Sequence, residues 1–176
     1  VLEMCLNQSD KLANTRYWED ILFDMAGSKW SGEIPELGFK PSSQERFDIG
    51  FNHHVGEKWP IKAWPAGYWK ELERLIDGRF TISWQKGLNS LEDYIEWINS
   101  CALIVTNDSL GLHIAHTLGK KIVALFGPTL SNEVYVKNGV KLLPEREYDC
   151  LPCLSTVCVK TRPCMHEISP SSVMAA

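Results

Sequence analysis

Short apolar runs alternate along this chain with stretches whose apolar residues recur at helical spacing. Apolar runs of four to eight residues bounded by turn signals predict buried strands, and the three-to-four-residue period predicts amphipathic helices. On that basis the pattern predicts one helix over residues 9–26, stopped by Gly27, and a Gly-, Pro- and Ser-rich linker over 28–46. A strand at 47–51, a long polar loop over 52–63 and a helix over 65–76 with Pro65 in its first position follow. A second strand at 80–84 and a turn lead into a helix over 90–100, whose Ser90-Leu-Glu-Asp93 start is a loose capping box with Asp in place of Glu or Gln. Strand 102–106, helix 109–118, strand 121–126, a short helix near 131–137 and strand 139–143 complete the series. Ser169-Pro170 is a good cap and first-turn pair, so a last helix is expected to start there and be cut short. Strands alternating with helices imply crossover connections and an α/β, Rossmann-like parallel sheet. No internal repeat or low-complexity tract interrupts the pattern.

The polar residues of residues 107–129 gather where strands stop. In open parallel sheets ligands sit in the crevice outside those carboxyl ends. Asp108 falls where an N-cap is expected, and a helix start offers unpaired N–H groups that suit a diphosphate. Ser109, His113 and His116 or Thr117 predict a polar stripe, with Leu110, Ile114 and Leu118 as an apolar stripe beside it. The plainer reading is a capped helix bearing a surface histidine. A carboxylate beside a diphosphate is repulsive, so Asp108 is expected to hold sugar hydroxyls or a lysine. Lys62, in the loop before a helix and followed by Trp64-Pro65, can reach a phosphate as a mobile point charge; the plainer reading is a solvated lysine. Gly127 permits close backbone approach and Thr129 adds a hydroxyl beside the following turn, while Glu133 is a candidate for a ribose hydroxyl. Trp59, Trp64 and Trp69 recur every five residues, a period that fits no single element and points to core packing or a loop lid.

Composition narrows the function classes. A chain of 176 residues, 44% hydrophobic and 23% charged, suits one soluble globular domain. Its formal charge of −4, with no basic stripe, argues against a nucleic-acid partner. No apolar run approaches the ~20 residues of a membrane-spanning helix, and no signal pattern opens the chain, so a cytoplasmic location is expected. In a reducing compartment, cysteine clusters bind metal or stay reduced more often than they pair. Cys150, Cys153, Cys158 and Cys164 could supply a structural zinc site, or on ligand count an iron–sulfur cluster. Reduced or disulfide-bonded thiols are the alternative.

Three ordered motifs resemble one family. Asp108-Ser-Leu-Gly111-Leu-His113-Ile-Ala115, Leu118-Gly-Lys120 and Val123-Ala-Leu-Phe-Gly-Pro-Thr129 are similar to glycosyltransferase family 9, which includes the heptosyltransferases of the lipopolysaccharide inner core. Lys58-Trp-Pro-Ile-Lys62-Ala-Trp-Pro65 resembles the family's Lys-x-Trp-Pro segment. Cys150-Leu-Pro-Cys153, Cys158 and Cys164-Met165 resemble the cysteine-bearing tail of some members. The resemblance spans roughly residues 47–176. It implies the C-terminal, donor-binding half of a two-domain GT-B enzyme, with residues 1–46 as connecting helix and linker and 47–176 as the nucleotide-sugar domain. It implies metal-independent, inverting transfer of a sugar such as heptose from ADP-heptose to a lipopolysaccharide-core or other glycan or lipid-linked acceptor, at the cytoplasmic face of the inner membrane and with peripheral membrane association. The donor-binding residues would be Lys62, Asp108, Ser109, Gly111, His113, Gly127, Thr129 and Glu133. The catalytic base belongs to the family's N-terminal acceptor domain, so no residue here takes that role, and this chain alone should bind nucleotide but barely turn over.

Two departures qualify the match. The family's extra strand–helix unit between residues 76 and 90, with its Gly-Gly-x-x-Glu turn, is replaced by one strand and a turn, so the contact from that Glu is not carried over. Asn52, His53 and His54 stand where relatives carry small hydroxyl residues. The competing readings are a degenerate, non-catalytic nucleotide-binding module and a cysteine-centred zinc-binding interaction domain. A nucleotide-sugar epimerase of GT-B form is disfavoured by the Phe-Gly-Pro-Thr and Cys-Met elements.

Overall fold

The computed structural model describes residues 9, 12–87, 89–153 and 155–176. Five parallel strands form one sheet in the order β2-β1-β3-β4-β5: β1 (Phe47–Asn52), β2 (Ile82–Trp84), β3 (Cys101–Asn107), β4 (Lys121–Leu125) and β5 (Gly139–Leu142). Helices among the described residues include α1 (Trp18–Met25), α2 (Ala66–Ile76), α3 (Leu91–Asn99), α4 (Leu110–Thr117) and α5 (Pro170–Ala175). This is the Rossmann-like α/β architecture that the alternating pattern predicts.

Both faces of the sheet are covered, so the central strands are apolar almost throughout. Val105, Val123, Leu125 and Phe51 pack with Trp64, Trp69, Leu72 and Ile76 of the α2 region and with Met165, Ile168 and Val173 near α5. Ile104, Ile122, Ala124 and Phe126 alternate to the other face and meet Tyr94, Ile95 and Ile98 of α3 and Leu112 and Ala115 of α4. Gly50 lies on that second face, where a Cβ would stand 2.7 Å from Ile104 Cδ1, so the strand approaches its neighbours only without a side chain. Among the described residues no helix is long and apolar enough to cross a membrane.

Local chemistry sets the helix ends. Ser90 Oγ accepts a hydrogen bond from Asp93 N at 3.0 Å, the cap half of the expected box. Ser169 Oγ accepts from Ser172 N at 3.1 Å, with Pro170 in the first turn. Asp77 takes φ 52° after α2, closing it with a left-handed cap.

Two expected elements differ. Residues 9–26 do not form one helix: Asn14 Oδ1 accepts from Arg16 N and its Nδ2 donates to Arg16 O, which closes a turn before α1 begins. The parts of that expectation at residues 10 and 11 lie outside the described residues. The short helix near 131–137 is a single 3-10 turn, Ser131–Glu133.

One half-buried carboxylate anchors the approach to the sheet. Glu96 on α3 accepts from the backbone N–H groups of Ser42 and Ser43 at 2.9 and 2.8 Å, and Asn99 Nδ2 donates to Ser43 O at 2.6 Å. The Ser42 N–H, followed by the Ser43 groups, holds the Glu96 carboxyl down from 4.5 to about 2. A depressed carboxylate contributes stability that is present above its unfolded-state value and is lost as pH falls through the folded-state one. Glu96→Gln is therefore expected to lower the urea midpoint at pH 7, with the gap to wild type narrowing as pH falls from 4.5 toward 2.

Candidate functional site

The site is built where β1, β3 and β4 end. Asn52 closes β1 and is fully buried. Its Oδ1 accepts from Tyr94 OH at 2.6 Å, and its Nδ2 donates to Thr106 Oγ1 at 2.6 Å and Ser109 Oγ at 3.0 Å. Asn107 closes β3 and is equally buried. Its Oδ1 accepts from Trp64 N at 2.9 Å and its Nδ2 donates to His53 O at 2.9 Å. Trp64 is pinned a second time, its Nε1 donating to Ile168 O at 2.8 Å. The loop after β1 is thus tied to the end of β3 and to the C-terminal segment.

That loop carries Lys62 in the 3-10 turn Pro60–Lys62. Lys62 Nζ lies 2.7 Å from Asp108 Oδ2 and 5.5 Å from the Trp59 ring centroid. Thr129, beyond β4, donates from Oγ1 to the same Asp108 oxygen at 2.7 Å. Side-chain exposure is 18% for Lys62 and 11% for Asp108, so the pair sits at the mouth of the crevice and not in open solvent. Burial, then the neighbouring His54, pushes His53 below its ordinary value, so its ring is neutral near pH 7. Lys62 is the side chain by which the loop reaches Asp108.

Three sequence-derived residues, Lys62, Asp108 and Thr129, therefore meet on one carboxylate oxygen. Ser109 and Gly111 stand beside Asn52 at the start of α4. The cap of α4 needs correction: Ser109, not Asp108, is the residue preceding the helix, and its hydroxyl takes the Asn52 amide instead of a first-turn N–H. Asp108 is left for Lys62 and Thr129. Gly111 is required for packing, since a Cβ there would lie 2.2 Å from Asn52 Nδ2 and 2.3 Å from Tyr94 OH.

The expected stripes of α4 are also revised. His113 is exposed, but His116 is buried against Tyr135 and Leu110 is 52% exposed, because the core-facing residues are Leu112, Ile114 and Ala115. No hydrogen bond joins His113 to the Lys62–Asp108–Thr129 cluster among the described residues. Glu133 is only 6% exposed, in the turn after β4. The space beside Gly127 is filled from below, with Met165 Sδ 2.5 Å and Cys164 Sγ 2.9 Å from where a Cβ would stand. Trp64 and Trp69 are core residues.

The four-cysteine expectation is not supported. Cys164 is drawn into the core beneath Gly127, while Cys150, Cys153 and Cys158 stay half-buried on the loop. Burial, followed by the neighbouring Cys153 and Cys158, pushes the Cys164 thiol up to about 11. Among the described residues no group of three or more His, Cys, Asp or Glu side chains is disposed to hold a metal ion, and the described cysteines are free thiols.

Sequence reasoning missed Tyr94 and Asn107 and left Asn52 without a role. Asn107 had a signal, its position as the last strand residue before Asp108. Tyr94 had none, because it arrives from a different helix.

Comparison with known proteins fits this geometry. Residues 87–162 match glycosyltransferase family 9 (heptosyltransferase). That match covers less than half of the chain and carries its resemblance to the family. Lipooligosaccharide heptosyltransferase 2 of Campylobacter jejuni (serotype O:6) is 34% identical over 77 residues, which is 42% of this chain and 24% of the relative. The solved structure of E. coli ADP-heptose lps heptosyltransferase II superposes with a TM-score of 0.59 at 21% identity, over 80% of this chain and 51% of that one. E. coli heptosyltransferase WaaC with ADP-2-deoxy-2-fluoro heptose gives 0.52 at 18% identity, over 70% and 47%. The chain thus spans about a quarter of the Campylobacter relative and about half of each solved chain. The superpositions establish the shared GT-B-type α/β fold.

In an ordinary helix, replacing Gly by Ala stabilises by about 1 kcal/mol. Gly111→Ala is expected to reverse that sign and destabilise by about 2 kcal/mol through overpacking against Asn52 and Tyr94. Urea denaturation of the two proteins checks it.

Proposed function

We propose that this chain binds the nucleotide-sugar donor in a heptosyltransferase reaction. In this reading a sugar, heptose from ADP-heptose, passes to a lipopolysaccharide-core or related glycan acceptor. The observation that carries the proposal is Lys62, a cation fixed beside Asp108 and Thr129 at the carboxyl ends of β1, β3 and β4. The family match over residues 87–162 and the donor analogue named for the WaaC structure support it.

The chemistry follows from charge. An acceptor hydroxyl oxygen attacks the anomeric carbon, the bond from that carbon to the diphosphate oxygen breaks, and inversion results from a single displacement. The leaving diphosphate gains negative charge as the bond breaks. A pre-positioned cation stabilises it in the transition state more than in the ground state, as oxyanion-hole donors do. Lys62 supplies that countercharge, in the role other glycosyltransferases give to a divalent ion. The α4 start, with Ser109 and Gly111, lies beside the diphosphate, and Thr129 flanks it. The acceptor proton passes to a base that we assign to an acceptor domain outside residues 47–176, so this chain binds the donor without completing the transfer. Such a partner domain and a cytoplasmic, membrane-peripheral setting belong to the same reading.

Thermal unfolding with ADP, UDP, GDP and CMP tests the proposal. ADP at 100 times its dissociation constant is expected to add about 2.7 kcal/mol of stability, with smaller effects from the other nucleotides. Lys62→Ala should weaken ADP binding by about tenfold, the loss of one charge-assisted contact of about 1.4 kcal/mol. Equal stabilisation of wild type and variant by ADP would remove Lys62 from the donor site.

A further inference from the structure

Lys62 is already neutralised. Its ammonium group rests 2.7 Å from Asp108 Oδ2, at the mouth of the crevice where the donor reading brings the diphosphate. Lysine has one compact charge on a flexible stem, so it cannot serve Asp108 and a diphosphate equally. The same Asp108 oxygen also takes the Thr129 hydroxyl at 2.7 Å. When Lys62 turns to an anion, Asp108 keeps Thr129 and is left one strong partner short, in a position only 11% exposed to water.

Resting on the donor reading, we propose that Asp108 is an internal counter-anion for Lys62 that the diphosphate must displace, and that the sugar hydroxyls of an intact donor then compensate it. A bare nucleoside diphosphate takes Lys62 without offering Asp108 anything in return. A nucleotide sugar takes Lys62 and presents hydroxyl donors to the released carboxylate. The pair therefore discriminates donor from product: re-formation of the Lys62–Asp108 contact favours departure of the spent diphosphate, while the donor escapes that penalty. Asp108 is in this view a specificity residue that acts through Lys62 and Thr129. Thr129 holds the carboxylate in place during the exchange.

The test is titration calorimetry of the full chain with ADP and with ADP-heptose, on wild type, Asp108→Asn, Lys62→Ala and the double variant. Asp108→Asn is expected to raise ADP affinity about tenfold when Lys62 is present and by no more than about twofold in the Lys62→Ala background, the coupling of a directly paired couple. The same substitution should lower the ratio of ADP-heptose to ADP affinity. Thr129→Val should move that ratio the other way, because it leaves Asp108 without a partner only when bare ADP is bound. An equal gain in ADP affinity with and without Lys62 would reduce Asp108 to simple charge repulsion and overturn the exchange. An unchanged ratio in both Asp108→Asn and Thr129→Val would overturn it as well. Undiminished ADP binding by Lys62→Ala would instead overturn the donor reading on which the exchange rests.

Discussion

Two side-chain amides, Asn52 and Asn107, are wholly buried where β1 and β3 end, and a buried amide left without partners costs about 1–3 kcal/mol for each unpaired group. The crevice is organised around meeting that requirement. Asn107 is satisfied only if the loop after β1 brings Trp64 N and His53 O to it. Asn52 is satisfied only if α3 delivers Tyr94 and Ser109 stands just before α4. The loop that carries Lys62 is therefore positioned by hydrogen bonds made several residues away from Lys62 itself. Such a buried polar network has few alternatives that keep all partners paired, which gives a single arrangement.

Small residues make that network possible. Gly111 leaves room for the Asn52 amide and the Tyr94 hydroxyl, and Gly127 leaves room for Met165 and Cys164. Both glycines stand in the sequence as motif letters beside Asp108 and Thr129, where close approach of a ligand is the obvious reading. The structure adds a second reason at each, close approach of the protein to itself. The Cys164-Met165 element gains its meaning in the same way: it props the turn after β4 from below.

The charges rest on this framework. Lys62, Asp108 and Thr129 come from three separate loops, and their shared contact at one carboxylate oxygen depends on the strands ending in register, with Asn52 beside Thr106 and Asn107 beside Leu125. Parallel strands place their carboxyl ends on one side of the sheet, which is why residues distant in sequence form a crevice there. The sheet thus converts a repeating strand–helix pattern into a single charged site.

Much of this was legible in the chain alone. The alternation of apolar runs with helical periods determined the parallel α/β sheet, because strands buried on both faces must be apolar throughout and their crossovers must be amphipathic helices. The placement of polar residues at strand ends pointed to where the crevice would be, and the order of motifs pointed to the resemblance with glycosyltransferase family 9. Local competition was harder to read: Asn14 closes a turn with Arg16 and breaks a helix whose apolar spacing continues across it. Which side of α4 faces the core, and so the burial of His116 and the exposure of Leu110, depends on how the helix rotates against α3 and the sheet. The pairing of Tyr94 with Asn52, the choice of Ser109 over Asp108 as the residue before α4, and the burial of Cys164 beneath Gly127 were decided only by tertiary structure. Each depends on contacts between segments whose separation along the chain carries no periodic signal, whereas the sheet and its crevice follow from patterns that repeat along it.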